Sequence, residues 1–150
     1  MSESRDNLLG RAIRLVPIEP SLGAAGGFDV DLSAGGEVRG QAALSQALTL
    51  AMVTLRGSDI FAAGFGFAGL SALAAESDPV LRRERLRLAV IDVLRAEPRI
   101  RRIVSVRFVD ESGDPRATPG SRRAEVLAEF ETIAATRQVA VLQGEVTDVR

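Results

Sequence analysis

Carboxylates and arginines must carry whatever chemistry this chain can do, because two of the most reactive side-chain types never occur in it. There is no histidine, which removes the commonest metal ligand and the side chain that titrates near neutral pH. There is no cysteine, so no thiolate nucleophile and no disulfide. Tyrosine and tryptophan are absent, and six phenylalanines are the only aromatic residues. Among the carboxylates, Glu97 stands out. It opens the tripeptide Glu97-Pro98-Arg99 and continues an apolar helical face made by Leu86, Val90, Val93 and Leu94. A carboxylate in that position finds a cationic partner or has its pKa raised. Arg99 is the partner at hand. With its proton retained, Glu97 would be a general acid, and Asp92 or Glu84 would be the second carboxylate of a glycan hydrolase. Those two acids fall on other faces of the same helix, so they are not expected to converge on one substrate. The expectation is a protein that is not an enzyme, with a small lysozyme-like hydrolase of cell-wall glycan, built on Glu97, as the alternative.

Three further patterns carry less. Gly64-x-Gly66-x-x-Gly69 matches a dinucleotide fingerprint in letters only: no parallel strand precedes it and the chain lacks an alternating β-α-β pattern. Asp29-x-Asp31-x-Ser33 begins like a calcium loop, but Ala34 stands where that loop needs glycine and Gly40 where it needs glutamate. No cofactor and no metal are expected. Arg82, Arg83, Arg85, Arg87, Arg101 and Arg102 form a basic segment around Glu84. Solvated helix faces are one reading; docking onto an acidic partner surface is the other, because guanidinium forks suit carboxylates. Nucleic acid fits poorly, since no aromatic residues are interleaved for stacking.

The elements that position these residues follow from periodicity. Asp78 to Arg99 is the clearest helix, with Ser77 available to cap it, Pro79 in its first turn and Pro98 ending it. Leu81, Leu88 and Ile91 make a second apolar strip, so contacts are expected on two sides. Gln41 to Val53 is a second helix. Leu44, Leu48, Ala51 and Leu55 line one face and no charge lies on any face, so burial on most sides is expected. Arg56 to Gly69 is a glycine-rich loop. From Gly40 to Ala75 the only charges are Arg56 and Asp59, an apolar block that serves the core or a subunit interface. Earlier in the chain, Met1 to Asp6 reads as a loose terminus and residues 1–27 as an N-terminal arm. Phe28 to Leu32 alternates as a short strand or extended arm, with Asp29 and Asp31 on its wet face. Ser33 to Gly36 reads as a turn. After the main helix, Ile100 to Val109 reads as a strand with Val104, Val106 and Phe108 on one side. Arg122 to Ala134 fits either element: Leu127, Phe130, Ile133 and Ala134 suit a helix, while Val126, Ala128, Phe130 and Thr132 suit a strand. Arg137 to Val149 is a last strand with Val139 and Val141 on one face, Gly144 a candidate bulge, and 137–150 a sheet edge.

The Glu97-Pro98-Arg99-Ile100 run after an arginine-rich amphipathic helix resembles the baseplate wedge, or sheath-initiator, family of contractile tails (phage tail protein W-like), found in phages, type VI secretion and extracellular contractile injection systems. Thr54, Arg56-Gly57-Ser58-Asp59, Phe65-Gly66, Leu70 and Leu73 resemble the family's T-x-x-G-[ES]…FG…L segment. The likeness spans roughly Gln41 to Phe108. The family often carries Gly-Glu-Arg after the threonine; here the order is Arg56-Gly57-Ser58-Asp59. The resemblance implies a strand over 122–134. It also implies a structural baseplate component that meets wedge subunits through Glu97, Pro98, Arg99, Arg56, Gly57, Phe65 and Gly66. The C-terminal sheet, with Val139 and Val141, would add strands to the first ring of sheath protein. Tube or hub proteins are further neighbours.

Composition agrees with one globular domain. The chain has 150 residues, 46% hydrophobic and 26% charged. All 19 basic residues are arginine, against 20 acidic ones, for a net charge of −1. A general nucleic-acid binder would carry a basic excess. No secretory signal and no membrane insertion are expected, so the default location is cytoplasmic, within a tail-like particle. The fold class expected is α+β: an arm or strand, two main helices, and a small antiparallel sheet of C-terminal strands in a single domain, 1–150.

Overall fold

The computed structural model describes residues 2–18, 27–33, 35–69, 71, 75–110 and 121–147. The fold is α+β, with three named helices and small antiparallel sheets among the described residues. The chain divides into two compact units, residues 1–50 and 51–150.

In the first unit, α1 (Ser2–Leu9) leads into β1 (Arg11–Ile13) and β2 (Leu15–Ile18), followed by β3 (Gly27–Val30) and β4 (Glu37–Arg39). The expected loose terminus is therefore a helix. Leu9 explains it, because its side chain is only 2% exposed, and burial of that order stabilises by about 1.5–3 kcal/mol. Gly10, with φ +77°, ends the helix in the left-handed region. After this helix the expected arm is built into strands where it is described: β1 pairs β4 with Ala12 opposite Val38, and β2 pairs β3 with Val16 opposite Asp29. The switch falls at Arg14, whose N–H donates to the Gly36 carbonyl while its own carbonyl accepts from Asp31 N. The turn at Ser33 to Gly36 closes with Gly36 N donating to the Ser33 carbonyl. Phe28 and Val30 stay 39% and 45% exposed, so the alternation seen in sequence does not sort into a dry and a wet face.

Helix α2 (Gln41–Val53) buries Leu44, Leu48 and Ala51. Its uncharged opposite side does not follow: Gln41, Ser45 and Thr49 are exposed, and Leu55 lies past the helix end, exposed. Burial is one-sided because only one stripe carries large apolar groups, while small hydroxyl and amide side chains tolerate water. Gln46 does a specific job from this helix. Its Oε1 accepts from Leu15 N at 2.8 Å and its Nε2 donates to the Ile13 carbonyl at 2.7 Å, clamping the point where the chain passes from one strand pair to the other.

The second unit is built on α3 (Pro79–Ala96) and a meander of β5 (Ile100–Asp110), β6 (Ser121–Thr132) and β7 (Arg137–Thr147), in the order β5-β6-β7. Asp78, not Ser77, caps α3: its carboxylate accepts from Val80 N and Leu81 N, with Pro79 at the first helical position. Ala89, Val90, Val93 and Leu94 are buried; the second strip is not, with Leu81 and Leu88 more than half exposed. Strand β6 decides its own ambiguity. Val126, Ala128, Phe130 and Thr132, every second residue, are all buried. The helical reading would have needed Ile133 inside, and it is 44% exposed. Tertiary pairing on both sides overrides a helical period that was only locally attractive. The other face of the sheet carries cross-strand ion pairs, Arg102 to Glu131 at 2.9 Å and Arg137 to Glu129 at 2.6 Å.

The two edges of this sheet differ. β7 pairs β6 without a break from Ser121 opposite Thr147 to Glu131 opposite Arg137. Gly144 sits opposite Ala124 in regular register, so it is not a bulge. β5 shifts register twice, skipping Arg101 and Val104. The second shift breaks the expected alternation: Val106 is 4% exposed and Val104 is 38%.

Replacing Asp78 with alanine is expected to cost about 1 kcal/mol in chemical denaturation, with Asp78→Ser close to wild type. Ser77→Ala should have no measurable effect, and the reverse ranking would return the cap to Ser77.

Candidate functional site

Pro98 cannot continue α3, because it lacks a donor and its ring collides with the preceding turn. The chain leaves the helix at Glu97, whose backbone is extended (φ −86°, ψ 109°). A turn follows, closed by Ile100 N donating to the Glu97 carbonyl at 3.0 Å. Across this turn the side chains of Glu97 and Arg99 fork together. Arg99 Nε donates to Glu97 Oε1 at 2.6 Å and Arg99 Nη2 to Oε2 at 2.7 Å, while Arg99 N donates to Oε1 at 3.1 Å. Both side chains are largely covered, 12% and 23% exposed. That fork is the bidentate arrangement in which charge-assisted bonds are strongest.

The fork sets the charge state. Burial pushes the Glu97 carboxyl up, and this is the largest single influence. The Arg99 side-chain bonds, the Arg99 backbone bond and the guanidinium charge act the other way, and together they hold the pKa below its ordinary 4.5. Glu97 thus took the first of the two routes open to it, a partner, and is an anion at neutral pH. The Arg99 pKa is raised, first by its bonds to Glu97.

The turn is joined to the end of the sheet where β6 passes into β7. The Arg99 carbonyl accepts from Ile133 N at 2.9 Å, in the turn between β6 and β7. That turn is itself tied by a buried threonine. Thr132 Oγ1 and Thr136 Oγ1 share a hydrogen bond at 2.7 Å, and Thr132 N donates to the Thr136 carbonyl at 3.0 Å. Ala135 takes a left-handed φ of 56° there, an unusual conformation for a residue with a Cβ. The helix exit and the β6–β7 hairpin therefore form one connected corner.

Arg56, Gly57, Phe65 and Gly66 form a loop of their own. Leu55 and Phe67 bridge in parallel, with Arg56 N donating to the Phe67 carbonyl and Phe67 N to the Thr54 carbonyl. Gly66 has φ +106°, and a Cβ there would meet the Thr54 carbonyl oxygen and Arg56 N. Glycine is thus required at the neck of the loop by close packing against the Thr54–Arg56 backbone. Arg56 is exposed, Gly57 turns with φ +84°, and Phe65 is 43% exposed. Sequence reasoning passed over the tip. Ile60 and Phe61 are 85% and 93% exposed, and Asp59 holds them by accepting from Phe61 N at 2.8 Å. The signal was present: two large apolar residues directly after an Asx-turn residue, inside a loop bounded by glycines. Val139 lies on β7 opposite Glu129 and is 56% exposed; Val141 pairs Leu127, and its side chain lies outside the described residues. Leu70 and Leu73 also lie outside them.

Asp31, expected on a wet face, is half-buried, with its side chain 19% exposed. It accepts from the Ser33 hydroxyl and backbone, with Arg14 at 3.8 Å, and its pKa is lowered mainly by the Ser33 bonds. Among the described residues no group of three or more acids could hold a metal ion. Among them, no helix is long and apolar enough to cross a membrane.

No protein-family model matches the chain, and no curated protein matches it by sequence. Its fold does have a solved counterpart. The crystal structure of a "putative tail lysozyme" from Geobacter sulfurreducens matches with a TM-score of 0.55. The two share 19% identity, over 80% of this chain and 98% of that one. At that identity the likeness is one of fold.

Glu97→Gln is expected to lower stability by about 1–3 kcal/mol at neutral pH, the value of a hydrogen-bonded charge. The sign with pH follows from the lowered pKa. The contribution is full above the ordinary value of 4.5 and is lost as pH falls through the folded value. The gap between denaturation curves of wild type and variant should therefore begin to close only as pH falls below 4.5, and close fully once pH is under the lowered folded value. A gap that persists unchanged in acid would mean that the fork is not the source.

Proposed function

We propose that this chain is a structural subunit of a contractile tail or injection machine. In this reading it joins baseplate wedge subunits to the first ring of sheath and starts sheath assembly by strand addition. The observation that carries the proposal is the open edge of β7. Its ladder to β6 is regular over its whole length, and no described strand covers its outer side. Such an edge offers a row of backbone donors and acceptors, and exposed Val139 can set side-chain register for an incoming strand. The bulged β5 is a poorer template, which favours β7. The wedge side is assigned to the loop that presents Ile60, Phe61, Phe65 and Arg56, and to the Glu97-Pro98-Arg99 corner, which holds its position through the fork. The fold likeness to a protein whose name places it in a tail supports the setting.

That neighbour's name also favours a second reading, hydrolysis of cell-wall glycan. A general acid must keep its proton near neutral pH, and Glu97 is held in the opposite direction by Arg99. The hydrolase is therefore placed second.

In lysate of the native cell, the chain is expected to sediment with tube and sheath proteins, identified by mass spectrometry. Particles that pellet without it, while it stays soluble, would overturn the reading. Clearance of peptidoglycan by the purified protein, lost in Glu97→Gln, would promote the hydrolase. Val139→Lys places a charge on the edge and should reduce sheath in the pellet while the chain still travels with wedge proteins. Phe61→Ser should leave stability within about 0.5 kcal/mol, since the side chain is already in water, yet weaken incorporation into wedges.

A further inference from the structure

The bulged edge of β5 faces something that strand addition does not use. Between α3 and the first half of β5 lies an open groove of about 480 Å³. Ile91 and Ile103, both half-buried, contribute to its apolar floor, and Arg87, Arg95, Arg101 and Arg102 contribute its charge. Two of these arginines are already engaged, Arg87 with Glu84 at 3.4 Å and Arg102 with Glu131 at 2.9 Å. Arg95 and Arg101 are exposed and have no ion pair among the described residues. Arg101 is one of the residues skipped in the β5–β6 register, so the bulge takes it out of the strand's regular alternation. Arg95 sits in the last turn of α3.

We infer that this groove binds an extended acidic segment of a partner protein, with carboxylates on Arg95 and Arg101 and an apolar side chain between them on Ile91 and Ile103. Charge decides the occupant. Among the described residues two of the groove's guanidinium groups make no ion pair, in a protein whose net charge is −1, so the positive field is local. Planar forks of this kind recognise carboxylates two bonds at a time. The shape follows from β5, which presents seven consecutive residues, Ile100 to Val106, along the groove. The double bulge interrupts the ladder there, so the segment is held by side chains, not by added strand pairing. This site is independent of the β7 edge.

The test uses the whole chain and a fluorescein-labelled decapeptide of alternating Glu and Val, read by fluorescence anisotropy. The peptide is expected to bind and to weaken as salt is raised. The double variant Arg95→Glu/Arg101→Glu should lose affinity by about tenfold or more. Arg107→Glu, an exposed reversal on β5 outside the groove, is set against Arg101→Glu alone, which changes net charge by the same amount, and should keep most of the affinity that Arg101→Glu loses. Val139→Lys should leave binding unchanged, which separates this site from strand addition. Circular dichroism and a melting curve check that each variant is folded. Equal binding to the double variant, or equal binding of an uncharged control decapeptide of alternating Gln and Val, would overturn the proposal. A single-stranded oligonucleotide of matched charge that binds more tightly than the peptide, and is lost in the double variant, would overturn it in favour of a phosphate-backbone ligand.

Discussion

Pro98 ends α3, and the Glu97–Arg99 fork decides how the chain leaves it. The carboxylate accepts two side-chain bonds and one backbone bond from the residue two positions on, so the turn is closed by charge as well as by backbone. Water is largely kept from both groups, and the pair keeps its strength because neither partner has a better alternative in solvent. The Arg99 carbonyl then holds Ile133, which locks the β6–β7 hairpin to the same corner. Remove the fork and three elements lose a common anchor: the end of α3, the start of β5 and the turn before β7.

The sheet that hangs from this corner has two edges with different properties. β5 begins at the anchored turn and accommodates it with two bulges within its first five residues. Bulges and arginines together blunt an edge against ladder formation. β7 carries no such irregularity. The asymmetry is one of register: both irregularities fall at the start of β5, next to the helix exit, and the strand two places away is regular. A sheet built this way can pair on one side and present side chains on the other.

The same carboxylate that anchors the corner bears on the choice between assembly and hydrolysis. Catalysis by Glu97 would need the proton that Arg99 displaces, and the apolar surroundings that raise a carboxyl pKa are outweighed here by a fork within hydrogen-bond reach. Surface features lean the same way. Large apolar groups are presented at the tip of a loop that Asp59 and a glycine neck keep in shape, which suits a fixed contact more than a mobile lid.

Much of this protein was legible in the chain itself. Pro79 and Pro98 bracket α3, and the spacing of Val90, Val93 and Leu94 names its buried face, because helix ends and helix stripes are local properties. The Glu97–Arg99 pair was legible for the same reason: two residues across a proline have few other places to go. What needed the tertiary structure was everything set by partners far along the chain. Residues 122–134 were poised between two periods, and pairing with β5 and β7 made them strand. The terminal helix depends on burying Leu9, and Gln46 reaches back more than thirty residues to clamp Leu15. The bulges that separate a blunt edge from an open one exist only in the register between strands. Local chemistry writes caps, stops and stripes into sequence, whereas register and edge exposure belong to pairs of distant residues and appear only once the chain has folded.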